Sequence, residues 1–286
     1  MNINRELYPF ESHYFDSKHG KMHYIDEGEG EVILFVHGTP AWSFLYRNQI
    51  KQLSENYRCI AIDHIGFGLS EKPKDFSYHP KELSKCLEEL VDELQLNKIT
   101  LAVHDFGGPI GLSYAIRKPQ KIKRIILFNT WLWSTENNKD VKKIDKVINT
   151  FVGRFLYLNF NFSAKYLLKN AFHDKSKLSK EAKKHYTMVF PSKEERYGPF
   201  KIAKQLKGAS DFYKKMWGFI KIIEDTPILI IWGMEDSFIK PEFLTKWQRV
   251  LNNSTALKLN SGHFPQEEKS DEVNESIMNF MDREYK

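Results

Sequence analysis

Cysteine is almost absent from the chain, with only Cys59 and Cys86 among 286 residues. One falls in a predicted strand and the other in a predicted helix, so we expect two buried free thiols rather than a disulfide. No apolar run is long enough to span a bilayer, and the first residues (MNINRELY) lack the apolar centre of a secretion signal. These absences favour a cytoplasmic location and no membrane partner.

Several kinds of site are also missing from the sequence. No spacing of His, Cys or carboxylate residues is typical of a metal site. Gly66 and Gly68 form only part of the glycine pattern of a dinucleotide-binding fingerprint, so we expect a tight turn there. The net charge is +6, from 43 basic and 37 acidic residues. It is not accompanied by a motif of basic and aromatic residues of the kind that binds nucleic acids. We expect no metal, no cofactor and no nucleic-acid partner, and the oligomeric state stays open.

What the chain does contain is an alternation of strands and helices. Apolar runs predict buried strands at residues 31–36, 57–62, 98–103, 122–128 and 227–232. Helical spacing predicts helices at residues 43–53, 80–94, 109–116, 241–251 and from 265 onward. This alternation predicts an α/β fold with a mostly parallel central sheet flanked by helices.

The alternation stops between residues 130 and 223, where the segments are amphipathic and rich in Lys, Phe, Tyr and Leu. We therefore predict two domains. Residues 1–130 and 224–286 would form the core domain, and residues 131–223 would form an inserted helical cap domain.

The stretch LAVHDFGG at residues 101–108 carries the first chemical signal. A buried strand, a turn at Gly107 and Gly108 and a following helix are typical of the nucleophile elbow of an α/β-hydrolase fold. The turn exposes one side chain above the sheet, and here that side chain is Asp105 instead of the usual serine. A carboxylate with a reference pKa of about 3.9 is anionic at neutral pH and needs no base to attack a saturated or strained carbon.

Two later strand ends supply the partners that this fold needs, in the order nucleophile, acid, histidine. Asp236 ends the stretch WGMED, and His263 ends the stretch NSGH. Parallel strands deliver their carboxyl ends to one edge of the sheet, so we predict that both side chains lie near Asp105. Glu235 and Asp63 remain alternatives for the acid.

This set predicts a reaction in two steps. Asp105 would displace a leaving group and form an alkyl ester, which water activated by His263 would then hydrolyse. The main-chain N–H groups of Thr39 and Phe106 are placed to form the oxyanion hole. We expect His37 and His104 to be structural.

Five stretches resemble the haloalkane dehalogenase group of α/β-hydrolases, which includes the β-lactone decarboxylases of bacterial olefin synthesis. They are HGTPAWSFLYR at 37–47, YRCIAIDHIGFGLSEKP at 57–73, VHDFGG at 103–108, WGMED at 232–236 and SGHF at 261–264. The resemblance implies Asp105 as nucleophile, His263 as base, Asp236 as acid and a cap over the pocket. It also implies a small apolar electrophile, either a haloalkane or a β-lactone, as substrate.

Two positions depart from that family's pattern. The family usually has tryptophan directly after the nucleophile, where its indole N–H stabilises the leaving halide, and often has asparagine in the oxyanion loop. This chain has Phe106 and Thr39 there, and phenylalanine has no side-chain hydrogen bond to offer. Other members take a second tryptophan from the cap, so the candidate leaving-group or pocket residues are Trp131, Trp133 and Trp217.

Other functions stay open at this point. An epoxide hydrolase uses the same three residues but needs cap tyrosines to protonate the epoxide oxygen, and the candidates are Tyr157, Tyr166, Tyr186, Tyr197 and Tyr213. A fluoroacetate dehalogenase needs arginines beside the nucleophile, where this chain has FGGP at 106–109. The further alternative is a non-catalytic, ligand-binding member of the fold.

Overall fold

The computed structural model of the chain describes residues 3–283, so the predicted core-domain residues 1–2 and 284–286 lie outside the described residues. The strands are β1 (His13–Ser17), β2 (Gly20–Glu27), β3 (Val32–Val36), β4 (Arg58–Ile62), β5 (Ile99–Asp105), β6 (Ile122–Thr130), β7 (Ile228–Gly233) and β8 (Ser254–Leu259). The helices are α1 (Arg47–Leu53), α2 (Pro80–Glu93), α3 (Gly107–Arg117), α4 (Lys139–Ile148), α5 (Phe151–Phe160), α6 (Leu168–Ala171), α7 (Lys180–Met188), α8 (Tyr197–Gly208), α9 (Ser210–Trp217), α10 (Pro241–Gln248), α11 (Pro265–Glu268) and α12 (Ser270–Met281).

The described strands form one eight-stranded sheet in the order β1-β2-β4-β3-β5-β6-β7-β8. The β1–β2 and β2–β4 pairs are antiparallel, and all the other neighbours are parallel. Every residue of β5 is buried, as expected for a central parallel strand with helices on both faces. The predicted α/β fold with a mostly parallel sheet is confirmed.

Between β6 and β7 every regular element is a helix, from α4 to α9. The predicted absence of strands from residues 131–223 is therefore confirmed, while their separation as a cap domain stays a prediction. The pair α4 and α5 packs on α8 through a small core of its own. That core consists of Ile148, Leu158 and Phe200.

Two predicted helices differ in detail from the observed ones. The segment predicted as one helix at 43–53 begins as a 3₁₀ turn at Ser43–Tyr46 and becomes α-helical only at α1. The closing helix is split into α11 and α12 at Lys269, whose φ of −138° is not helical. Beside the break, the buried carboxylate of Glu268 accepts three main-chain N–H groups.

The structure also shows how the cysteines and the Gly66–Gly68 pair are arranged. Cys59 and Cys86 are buried and free, as predicted, and burial raises the pKa of the Cys59 thiol to about 12. Gly66 and Gly68 both adopt positive φ in a turn after β4. Within residues 3–283, no helix combines the length and apolar character that crossing a bilayer requires. The same residues contain no cluster of three or more His, Cys, Asp or Glu side chains suited to a metal ion.

Candidate active site

Asp105 is the last residue of β5 and lies at the turn into α3. Its φ of +51° is in the left-handed region, a conformation that costs a non-glycine residue about 1–3 kcal/mol. The two glycines of the turn have no room for a side chain. A Cβ at Gly107 would collide with the carbonyl of Val36, and one at Gly108 would collide with Thr130. Thr130 Oγ1 also donates a 2.6 Å hydrogen bond to the main-chain carbonyl of Asp105. The elbow therefore fixes the position of the Asp105 carboxylate.

The two oxygens of the Asp105 carboxylate have different surroundings. Oδ1 accepts the main-chain N–H of Thr39 at 2.9 Å, whereas Oδ2 lies 3.7 Å from His263 Nε2. Burial raises the pKa of Asp105 above its ordinary value, against the lowering effects of His263 and of the N–H groups of Phe106 and Thr39. The oxygen nearest the imidazole is thus not the one that accepts the N–H of Thr39.

His263 is held on both sides of its ring and through its main chain. Its Nδ1 lies 2.7 Å from Asp236 Oδ2, its main-chain N–H donates to the carbonyl of Ala171 at 2.8 Å, and its carbonyl accepts from His104 Nε2 at 2.8 Å. Burial lowers the pKa of His263, but the carboxylates of Asp236 and Asp105 outweigh that effect, and the net shift is upward. The structural role expected for His104 is to position the His263 loop.

Asp236 is itself fully engaged in hydrogen bonds. Oδ1 accepts the main-chain N–H groups of Phe238 at 2.7 Å and Ile239 at 3.0 Å, and Oδ2 accepts Asn129 Nδ2 at 2.9 Å as well as the His263 ring. Asn129 was missed by the reasoning from sequence. Its position could have indicated it, because a polar residue near the carboxyl end of β6 lies at the same edge of the sheet as the other groups.

The two alternative acids lie away from the imidazole. Glu235 is exposed to solvent. Asp63 is buried, but its carboxylate is bound elsewhere in the core. Its partners are His23 Nδ1 at 2.8 Å and the main-chain N–H groups of Ser43 at 2.7 Å and Leu69 at 2.8 Å. Asp236 is therefore the one of the three candidates that contacts His263.

A cavity of about 190 Å³ lies over Asp105 and His263. Much of its wall comes from the helices between β6 and β7, and that part is mainly apolar. Examples are Val141, Ile144, Leu167, Leu168 and Leu206. The cavity also reaches the exposed residues Asp140 and Glu242, so it communicates with the surface between α4 and the start of α10.

Two hydrogen-bond donors in the cavity wall have no partner. The indole Nε1 of Trp131 and the hydroxyl of Thr39 are closed off from solvent, and neither forms a hydrogen bond with any described residue. The Trp131 ring packs edge-on against Phe106, with ring centroids 5.0 Å apart. A tryptophan therefore packs against Phe106, the residue after Asp105, and it comes from the position that follows β6.

The other two candidate tryptophans do not line the cavity, which corrects the expectation for Trp133 and Trp217. Their rings pack against each other at 5.2 Å and against Trp247, and the ammonium of Lys246 lies 4.1 Å from the Trp133 ring centroid. Trp133 and Trp217 thus belong to a cluster of three indoles, packed edge-on or tilted around Trp247 of α10.

Of the five candidate tyrosines, Tyr157 is the one that lines the cavity. The hydroxyl of Tyr213 donates to the carbonyl of Gln205 at 2.9 Å, and that of Tyr186 donates to the carboxylate of Glu267. Of the remaining two, Tyr166 is exposed, and Tyr197 packs under a lysine ammonium. Burial raises the pKa of the Tyr157 hydroxyl, which keeps it protonated.

Known proteins resemble the chain over nearly its whole length. Residues 31–270 match the family model of the alpha/beta hydrolase fold. Haloalkane dehalogenase 2 of Mycobacterium tuberculosis is 33% identical over 276 residues, or 96% of each protein, and a cis-3-alkyl-4-alkyloxetan-2-one decarboxylase of Shewanella oneidensis is 34% identical over 96% of this chain and 89% of its own length. The crystal structure of haloalkane dehalogenase DbeA from Bradyrhizobium elkani has the same fold, with a TM-score of 0.86 at 22% identity over 95% of this chain and 97% of DbeA. The chain therefore belongs to the alpha/beta hydrolase fold family and, within it, to the haloalkane dehalogenase-like enzymes.

Proposed function

We propose that the protein hydrolyses small apolar electrophiles, haloalkanes first among them, through a covalent ester on Asp105. The observation that carries this proposal is the position of one carboxylate. Asp105 lies at a strained elbow inside a largely apolar cavity, with a main-chain donor on one oxygen and the His263 imidazole near the other.

In the first step, Oδ2 of Asp105 attacks the carbon that bears the halogen. The new C–O bond forms as the carbon–halogen bond breaks, and the halide leaves with the bonding electron pair. Oδ2 is the suitable oxygen because Oδ1 is already held by the N–H of Thr39. Oδ1 then becomes the carbonyl oxygen of the ester and stays in the oxyanion hole.

In the second step, neutral His263 takes a proton from a water molecule that attacks the ester carbonyl carbon. The negative charge on Oδ1 is stabilised by the N–H groups of Thr39 and Phe106. The bond from the carbonyl carbon to the alkyl oxygen then breaks, His263 returns its proton to the departing alkoxide, and the alcohol leaves. Asp236 stabilises the imidazolium between these proton transfers.

The unpaired donors in the cavity favour a halide as the leaving group. Trp131 Nε1 and Thr39 Oγ1 have no hydrogen-bond partner among the described residues, and both residues line the cavity. A buried donor left unpaired costs free energy, and an anion formed beside it repays that cost. We assign these two groups to the departing halide.

A β-lactone is the second candidate substrate. The Shewanella relative acts on an oxetan-2-one, as its name states, and is 34% identical to this chain. Attack of Asp105 on the ring carbon bound to the lactone oxygen breaks that C–O bond and opens the strained ring. The carboxylate that forms stays attached to the alkyl group of the ester, where the same donors can bind it. Loss of carbon dioxide from this carboxylate would expel the Asp105 carboxylate and leave an alkene. The epoxide alternative is less well supported, because only one of its five candidate tyrosines lines the cavity.

We also propose that residues 131–223 act as a cap. Their helices contribute most of the apolar wall above Asp105, including Val141, Ile144 and Leu206. Removal of bulk water by such a wall strengthens the electrostatic interactions at the reacting atoms.

The test is a substrate panel of short haloalkanes, β-lactones and epoxides, with release of halide, carbon dioxide, alcohol or diol as readouts. We expect halide and alcohol in equal amounts from bromoalkanes and loss of both in Asp105→Ala. Asp236→Ala should lose continuous turnover but still release halide in its first turnover, because Asp236 acts only at ester hydrolysis. Glu235→Ala is the matched control for the acid and should keep wild-type activity. Wild-type turnover of epoxides alone, or halide release that survives in Asp105→Ala, would contradict the proposal.

A further inference from the structure

The outer side of α4 and α5 carries a group of exposed apolar side chains. Phe151 is 83% exposed, the highest value among the large apolar residues described, and Val152 and Val147 are 62% and 60% exposed. We call this surface the α4–α5 apolar face. Its members are Ile144, Val147, Phe151, Val152, Phe155 and Phe160.

The phenylalanine side chains of this face adjoin one another. Phe151 and Phe155 stack with ring centroids 6.2 Å apart, and Phe155 meets Phe160 at 5.6 Å. The two helices lie so close together that a Cβ at Gly153 would collide with the main-chain carbonyl of Val147. The opposite side of the pair is fixed on α8 by its own core, so the exposed orientation follows from the packing. A contiguous exposed apolar surface of this kind marks an interaction site.

The charge around this face is strongly positive. Residues 139–169 contain seven basic and two acidic residues, a net charge of +5 against +6 for the whole chain, and no acid occurs between Asp145 and Asp174. Among the seven, Lys143 is the one that forms a salt bridge with a described residue. The basic residues, all exposed, are Lys139, Lys142, Lys143, Lys146, Arg154, Lys165 and Lys169.

We propose that the α4–α5 apolar face docks on an anionic lipid surface, without spanning it. Helices with exposed aromatic and aliphatic residues beside lysines lie in the interface of a bilayer, where the apolar side chains enter the acyl boundary and the lysines meet the headgroups. A second copy of the chain fits less well, since a two-fold dimer would bring two faces of the same positive charge together.

The sequence alone led to the expectation of no membrane partner, because it contains no segment long enough to span. Docking at a surface does not need such a segment. The α4–α5 apolar face also adjoins the cavity, which Ile144 lines while remaining 37% exposed. Docking would bring the cavity opening close to the bilayer, where apolar substrates concentrate. This last consequence rests on the proposed function, whereas the docking itself does not.

The experiment is co-sedimentation of the full chain with vesicles of phosphatidylcholine alone or mixed with phosphatidylglycerol, at low and physiological salt. We expect binding to the phosphatidylglycerol vesicles, weakened by salt, and little binding to phosphatidylcholine alone. The readout needs no substrate, so a protein that binds vesicles but hydrolyses nothing would refute only the proposed function.

Two pairs of variants test the two components of the face. Lys142→Gln with Lys146→Gln should reduce partitioning roughly 30-fold, whereas Lys81→Gln with Lys258→Gln, also exposed and without salt bridges to described residues, should change it far less. Phe151→Ser with Val152→Ser should also abolish most binding, whereas Phe219→Ser with Ile222→Ser, exposed at a distant turn, should not. Unfolding temperatures of all four double variants verify that they are folded.

Three outcomes would overturn the proposal. They are no binding of the wild-type chain to anionic vesicles, equal binding by the Phe151 and Val152 double variant, and equal loss in the control pairs. A wild-type dimer that becomes monomeric in the Phe151 and Val152 double variant, with vesicle binding unchanged, would assign the face to self-association instead.

Discussion

At the scale of single residues, the site depends on how three charged or chargeable groups influence one another. Burial raises the pKa of Asp105, and the carboxylates of Asp105 and Asp236 raise the pKa of His263. In the proposed reaction, alkylation would remove the charge of Asp105, and with it one of the interactions that hold the proton on His263. A larger fraction of the imidazole would then be in the neutral form that can accept a proton from water at the second step.

This coupling predicts different pH profiles for the two kinetic constants. The acid limb of kcat/KM should follow Asp105 and lie above the ordinary carboxyl value of about 3.9, because the nucleophile must be ionised and its pKa is raised. The acid limb of kcat should lie at higher pH, because ester hydrolysis requires neutral His263. Steady-state and burst kinetics of halide release between about pH 4 and pH 8 test this, and a burst should persist where turnover fails. Loss of burst and turnover together would argue against the assignment.

Trp131 is the residue on which the haloalkane assignment depends. Trp131→Phe keeps the ring against Phe106 but removes the indole N–H, and should lower the rate of halide release by about ten- to a hundred-fold, equivalent to about 1.5–3 kcal/mol. Trp133→Phe, in the indole cluster outside the cavity, is the matched control and should keep the rate near that of wild type. The comparison is made by rapid-quench measurement of bromide release. Equal rates for the two variants would remove Trp131 from the leaving-group site.

At the scale of secondary-structure elements, α11 ties the site to the helices above it. The Glu268 carboxylate accepts the main-chain N–H groups of Gly262 at 2.8 Å, Asp174 at 2.8 Å and His173 at 3.3 Å. It thereby links the loop of His263 to the segment between α6 and α7.

Glu268→Ala should therefore destabilise the protein by about 3 kcal/mol or more, because it leaves three main-chain donors without their acceptor. Glu272→Ala on α12 removes a surface salt bridge to Lys269 and should cost at most about 1 kcal/mol. Urea denaturation of both variants measures the difference. A similar free energy of unfolding for the two variants would mean that the Glu268 link does not hold the elements together.

The functional residues at the sheet edge could be predicted from the sequence, whereas the residues of the cavity wall after β6 could not. Apolar runs locate parallel strands, and the carboxyl ends of such strands meet at one edge, so Asp105, Asp236 and His263 were identified from local patterns. Trp131 and Trp133 are two residues apart in the same loop, yet one lines the cavity and the other packs against Trp247. That difference arises from the packing of helices far apart in the chain, which no local pattern records. Asn129 was missed because a buried amide has no sequence signature beyond its place near a strand end.

At the scale of the whole molecule, a continuous route leads from the surface through the cavity to the edge of the sheet. The α4–α5 apolar face adjoins the cavity, the cavity ends at Asp105, and the elbow holds Asp105 at the edge of the sheet. Under the proposed function, the helices between β6 and β7 would determine which molecules enter, and the sheet edge would determine the reaction that they undergo. Substrate range and chemistry should therefore vary independently, the first with changes in α4 and α5 and the second with changes at the sheet edge.

The central claim is that the oxygen of the product comes from Asp105. A single turnover of excess wild-type enzyme with a bromoalkane in ¹⁸O-water measures this directly by mass spectrometry of the alcohol and of the peptide that contains Asp105. The account predicts an unlabelled alcohol and one ¹⁸O atom in the Asp105 carboxylate, because water attacks the ester carbonyl carbon. Labelled alcohol and an unlabelled Asp105 in the first turnover would mean that water attacks the substrate directly, which would contradict the account.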